Sequence, residues 1–293
     1  MKLKQLFIVG SIILSRCLIC AQAITDRGIV KESLTVKSAV LGRDIRYSVY
    51  LPSDYYSSNR LYPVLYLLHG YTDDETTWIQ NGEVQITADK LITKRELVPL
   101  IIIMPDGGLT WYINNYSDSI RYEDAFFLDF MPTIEKVYRI RSDKKFRAIG
   151  GLSMGGYGAL LYSFKHPDIF SGCIAFSAAV RNDSLMIKRL KIGESNSVIC
   201  YGKLRGDSLP ENWKINSLLD LAKSTPYEKL SSVKYYIDCG DKDALIYGNS
   251  LLNFSLNDRQ VPHEFRVRNG KHEWIYWRNS IKEGLDFLNL IFN

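Results

Sequence analysis

An α/β domain with a mostly parallel central sheet and helices on both faces is what the 293-residue sequence predicts, on three observations. Six short runs are rich in apolar residues and suit interior strands of a parallel sheet. Segments with helical spacing lie between several of them. An alternating hairpin stands ahead of the first run and adds antiparallel edge strands.

Ser33 to Pro52 forms the hairpin: Leu34, Val36, Ala39 and Val40 lead to Gly42-Arg43-Asp44, then Ile45, Tyr47, Val49 and Leu51 alternate with Arg46, Ser48 and Tyr50. Tyr62 to Leu68 is apolar on both faces and is the first interior strand. Leu97–Met104, Phe146–Gly151, Cys173–Ser177, Val233–Cys239 and Glu264–Val267 are the next five. Ile86–Arg95 is a helix. Asp124–Val137 is another, carrying Phe126, Phe127, Phe130, Met131 and Ile134 at helical spacing. Gly155–Lys165 follows the third interior strand, and Ser280–Phe292, with Ile281, Leu285, Leu288 and Ile291, closes the chain. Residues 180–232 are polar and weakly periodic. They read as an insertion capping the C-terminal edge of the sheet, with helical pieces near Asp183–Leu190 and Ile215–Ala222. No linker divides residues 24–293, which are expected to form one domain.

Residues 1–23 have the pattern of a cleavable export signal: Lys2 and Lys4, the apolar run Leu6–Leu14, and Ala21-Gln22-Ala23 before the cleavage point. Arg16 interrupts the apolar stretch, so a bilayer-spanning anchor is not expected. The expected location is periplasmic or secreted, with no stable membrane insertion after cleavage. Removing Lys2, Lys4 and Arg16, with no acid alongside, takes the formal net charge from +5 to +2. Nothing then points to nucleic acid or an anionic membrane as partner. Three cysteines remain, too few for a disulfide framework. A Cys173–Cys200 bridge is one option in an oxidising compartment, and Cys239 reads as a buried apolar residue. No Cys and His cluster has zinc-site spacing, and no metal or cofactor is expected.

The chemistry centres on Ser153, in Gly150-Gly151-Leu152-Ser153-Met154-Gly155-Gly156. A Gly-x-Ser-x-Gly pattern alone is weak. Here it falls between a strand and a helix, where a nucleophile elbow belongs. Gly151 and Gly155 are expected where the turn is sharp and a Cβ would clash. The helix behind the serine offers free N–H groups and a positive dipole end to developing negative charge.

A serine hydroxyl needs a base. Of four histidines, His272 follows the last strand and lies at the same sheet edge as Ser153. His69 ends a strand, His166 ends a helix as a surface or capping residue, and His263 precedes a strand. The acid that orients the base comes from Asp238, Asp241 or Asp243. Asp238 is still in the strand, and spacing barely separates the other two. The order serine, acid, histidine is that of the α/β-hydrolase fold. The oxyanion donors are the amide of Met154, after the nucleophile, and that of Tyr71, in the loop Leu68-His69-Gly70-Tyr71.

Several further stretches carry a family resemblance: Tyr50-Leu51-Pro52, Tyr62 to Gly70, Met104-Pro105-Asp106-Gly107, Gly151 to Gly156, His166-Pro167-Asp168-Ile169-Phe170 and Asp238-Cys239-Gly240. With these the chain resembles, from about residue 30 to its end, the esterase D group (similar to carbohydrate esterase family 1). That group includes feruloyl esterases, acetyl xylan esterases, S-formylglutathione hydrolases and mycolyltransferases. The resemblance implies an α/β-hydrolase fold, Asp243 rather than Asp241 as the acid, and His272 as the base. Residues 180–232 depart from the pattern and do not align.

The resemblance, with export, implies a serine carboxylic-ester hydrolase acting on acylated carbohydrate or small esters, with feruloyl or acetyl removal from xylan as the expected reaction. Trp111, Tyr112 and Trp78 are candidate substrate contacts, with packing of a long loop as the other use of the same side chains. Three further readings stay open: a general short-chain acyl esterase, an acyltransferase on the same scaffold, and a non-catalytic carbohydrate-binding module. The sequence leaves the oligomeric state open.

Overall fold

The computed structural model describes residues 27–293, and the segment read as an export signal lies outside them. Eight strands form one sheet: β1 (Ile29–Ser38), β2 (Arg43–Leu51), β3 (Val64–Leu68), β4 (Ile101–Pro105), β5 (Arg147–Leu152), β6 (Gly172–Phe176), β7 (Lys234–Gly240) and β8 (His263–Arg268). Their spatial order is β1-β2-β4-β3-β5-β6-β7-β8. The hairpin pairs antiparallel and joins β4 antiparallel, and every later pairing is parallel. This is the α/β-hydrolase arrangement, with the two antiparallel strands at one edge as their alternation predicts.

The interior strands are apolar on both faces because each face has its own core. Val64, Tyr66, Leu68, Ile101 and Ile103 enter one, with Phe126, Phe130, Leu160 and Leu161. Leu65, Leu67, Ile102 and Met104 alternate into the other, with Trp277, Ile281 and Leu285 of the last helix.

Several boundaries differ from the sequence reading for local reasons. Strand β4 begins at Ile101 rather than Leu97. Pro99 has no N–H to give a ladder, and the Val98 amide donates instead to the Asn289 side chain (2.9 Å). The last helix runs from Trp274 to Phe292, starting six residues before the expected Ser280. Its first turn is aromatic, and Trp274 packs edge-on against both Trp78 and Trp277. The expected helix Asp124–Val137 is found as a continuous stretch from Tyr122 to Val137, with a π-helical turn at Phe126–Phe130. A helix at Ile246–Asp258 joins β7 to β8.

Residues 180–232 carry five short helices, including Asp183–Lys191 and Leu218–Ser224 near the two expected pieces. Cys173, Cys200 and Cys239 are buried and free, so the Cys173–Cys200 bridge is not formed. Among the described residues, no helix is long and apolar enough to cross a membrane.

Register brings the loops together. Leu68 lies opposite Gly151, Leu152 opposite Phe176, Phe176 opposite Asp238, and Gly240 opposite Arg268. The segments that follow β3, β5, β6, β7 and β8 therefore emerge at one edge, the carboxyl ends of the parallel strands, where open α/β sheets build their sites.

Candidate active site

Ser153 occupies the turn between β5 and the helix Met154–Lys165, with φ 54° and ψ −114°. A non-glycine residue at positive φ is strained and needs its surroundings to hold it. Here the backbone does so. The Ser153 N–H donates to Phe176 O, and its carbonyl accepts from Ala179 N, both at 2.9 Å. The glycines on either side admit a close crossing. A Cβ on Gly151 would lie 2.5 Å from the Gly155 backbone, and one on Gly155 would strike the carbonyls of Leu68 and His69. Gly151→Ala is therefore expected to cost about 3 kcal/mol or more, since backbone on both sides cannot yield. Urea unfolding, read as the midpoint at unchanged slope, checks this.

His272 Nε2 lies 2.9 Å from Ser153 Oγ, and its Nδ1 lies 2.8 Å from Asp243 Oδ2. Asp243 is buried, and its Oδ1 accepts from the Leu245 amide at 2.8 Å. Burial pushes the Asp243 carboxyl up. Hydrogen bonds from His272, the Leu245 amide and the Ser177 hydroxyl outweigh it and hold the group below its ordinary range. A carboxylate only accepts, so Nδ1 carries the ring proton and Nε2 is left to accept from the serine hydroxyl. The structure thus brings Ser153, His272 and Asp243 into one chain of hydrogen bonds. Asp241 is occupied elsewhere, accepting from Gly270 N at 3.0 Å. Asp238 lies in the core, bonded to Tyr276 and Arg268.

Two residues that support this chain went unnoticed in the sequence. Trp277 stands edge-on to the His272 ring, with centroids 4.8 Å apart, and its indole N–H donates to Ser177 Oγ at 3.0 Å. Ser177 stands at φ 46° just beyond β6, and its hydroxyl helps to hold the Asp243 carboxyl below its ordinary range. A tryptophan five residues after the histidine is a usable signal only once the helix is known to start at Trp274.

The Tyr71 amide has no protein acceptor among the described residues. Met154 is the first residue of its helix, so its amide has no acceptor within the helix. The loop bearing Tyr71 is fixed from below. His69 Nε2 accepts from the Gly107 amide (2.8 Å), so its Nδ1 is the protonated nitrogen and donates to Gly70 O (2.7 Å).

Two of the three aromatic candidates belong to this support rather than to a surface that meets substrate. Trp78 is 1% exposed and its indole N–H donates to Leu68 O. Tyr112 is fully buried and its hydroxyl donates to His69 O. Both sit beneath the loop as packing. His166 is the C-cap of the helix Met154–Lys165, its amide donating to Tyr162 O, and its side chain is partly buried: the ring packs on Phe127 and Nε2 lies 3.1 Å from Glu123.

Ser153 and His272 open into a cavity of about 370 Å³. Tyr71, Trp111, Ala179, Ala244 and Leu245 form part of its wall, and Arg181, Arg189, Glu194 and Asn196 reach it from residues 180–232. Trp111 is therefore the one aromatic candidate at the cavity, held by an indole hydrogen bond to Asn196. Among the described residues, no group of His, Cys, Asp and Glu has an arrangement able to hold a metal ion.

The chain is similar to known esterases. Residues 38–288 match the family model described as "Putative esterase". A solved ferulic acid esterase is 33% identical with a TM-score of 0.77, covering 91% of this chain and 99% of that one. An acetyl esterase of Caldicellulosiruptor saccharolyticus is 26% identical over 78% of this chain and 83% of its own length. Esterase Rv1288 of Mycobacterium tuberculosis is 27% identical over 80% of this chain, which spans about half (54%) of that relative. The match over residues 38–288 shows that the chain belongs to this esterase family.

Proposed function

We propose that the chain is an exported serine carboxylic-ester hydrolase that removes feruloyl or acetyl groups from plant cell-wall polysaccharide such as xylan. The hydrogen-bonded chain Ser153–His272–Asp243, at 2.9 and 2.8 Å and beside two unengaged amides, carries the reading.

In this mechanism Ser153 Oγ attacks the ester carbonyl carbon as His272 Nε2 takes the hydroxyl proton. The Asp243 carboxylate stabilises the imidazolium that forms. The amides of Tyr71 and Met154 donate to the tetrahedral oxyanion. Collapse breaks the bond to the leaving oxygen, which takes the proton from His272 and departs as the alcohol. Water then attacks the acyl-serine as His272 takes its proton, and collapse releases the carboxylic acid while the departing Ser153 Oγ takes that proton back from His272.

The likeness to a ferulic acid esterase over nine-tenths of the chain supports the acyl group, and Trp111 at the cavity offers an aromatic wall for it. The export pattern of residues 1–23 supports a substrate outside the cell. Incubation with feruloylated and acetylated xylan is expected to release ferulate, acetate or both, measured by chromatography. Cleavage of small p-nitrophenyl esters without release of either acid would overturn the polysaccharide reading.

A further inference from the structure

Arg181 lies a few residues beyond the end of β6 at Phe176, and it lines the same cavity as Ser153 and His272. Its guanidinium carbon stands 3.9 Å over the Trp111 ring, a stacking contact that fixes its plane. Its Nη1 is buried and has no hydrogen-bond partner among the described residues. The two carboxylates that line the cavity are engaged elsewhere. Glu194 pairs with Arg189 and accepts from Ser197. Asp243 is committed to His272 and the Leu245 amide. Trp111, which carries the stacked guanidinium, is itself anchored to Asn196.

A guanidinium stays charged under all ordinary conditions, and a buried charge without a partner is unfavourable. Its planar fork matches a carboxylate in two-point geometry. We propose that Arg181 is a specificity residue that receives a carboxylate of the substrate, so that the preferred esters carry a negative charge within the cavity that holds the scissile carbonyl. This rests on the reading of Ser153 as the nucleophile. The carboxylate belongs either to the acyl part, as in a half-ester of a dicarboxylic acid, or to the alcohol part, as in an ester of a hydroxy acid or uronic acid.

Two matched ester pairs separate these sources: monoethyl succinate against ethyl succinamate for the acyl side, and 4-carboxyphenyl butyrate against 4-carbamoylphenyl butyrate for the alcohol side. Each pair differs only in a carboxylate against a neutral amide. Wild-type kcat/KM is expected to favour the carboxylate by about tenfold or more in one pair, as a hydrogen-bonded charge pair does. Arg181→Gln is expected to bring that ratio to about one, chiefly through KM, and Arg181→Lys to retain part of it. A ratio near one in both pairs for the wild type, or a ratio unchanged in Arg181→Gln, overturns the assignment. The wild-type comparison stands even if a variant does not fold. Absence of turnover on all four esters together with no release of ferulate or acetate from xylan would overturn the hydrolase reading and Arg181's role with it; xylan turnover with none of the four esters cleaved, or turnover without charge preference, overturns only the role of Arg181.

Discussion

Ser153→Ala is expected to lower kcat/KM for a neutral activated ester by about 10⁴- to 10⁶-fold, with the thermal midpoint close to that of the wild type. The two halves of this expectation come from different atoms. Activity depends on Oγ, which stands 2.9 Å from His272 Nε2 and has no substitute within the cavity. The fold depends on the Ser153 backbone, whose N–H and carbonyl are bonded to Phe176 and Ala179. Alanine keeps those bonds and meets the positive φ at no greater cost than serine. The residual rate comes from the two amide donors and from binding, which the substitution leaves in place. Initial rates, read beside a circular-dichroism melt, test both halves. A variant within tenfold of the wild type, with the melt unchanged, would remove Ser153 from the chemistry.

What the sequence carried and what it did not divides along physical lines. Strands buried on both faces announce themselves, as Val64–Leu68 does, because each residue must be apolar. The elbow announces itself because Gly151 and Gly155 are the residues that the close crossing admits. Chain order then finds His272 and narrows the acid to a loop. Choosing Asp243 over Asp241 depended on family resemblance, since two aspartates two residues apart differ only in where the loop turns. The aromatics show the limit most plainly. Trp111 and Tyr112 are adjacent and both at positive φ (55° and 57°), so the chain twists between them. One ring forms the cavity wall and the other packs under His69. No periodicity encodes such a pair. Arg181 was equally hidden, because its meaning lies in partners that are absent from its surroundings.

The same geometry gives Asp243→Asn a large expected effect, a fall in kcat of about 10⁴-fold with the fold retained. Asparagine is isosteric with the carboxylate. Its carbonyl oxygen keeps the bond from the Leu245 amide that Asp243 Oδ1 now accepts, and its NH₂ then faces His272 Nδ1 in place of Oδ2. An NH₂ donates, so Nδ1 must accept and the ring proton moves to Nε2. A protonated Nε2 has no lone pair for the Ser153 hydroxyl, and the imidazolium of the transition state loses its counter-charge. The loss should fall on kcat rather than KM, because the substrate does not touch this bond. Asp241→Asn supplies the contrast. Asp241 supports the Gly270 amide and reaches neither His272 nor Ser153, so its substitution should change kcat by less than about tenfold. Joining Ser153→Ala to Asp243→Asn should add almost nothing to the first loss, since a tautomer held for an absent hydroxyl has no work to do. Full additivity of the two losses would mean that Asp243 acts on the reaction by a route other than His272, and the chain of hydrogen bonds would then be a structural feature rather than a catalytic one.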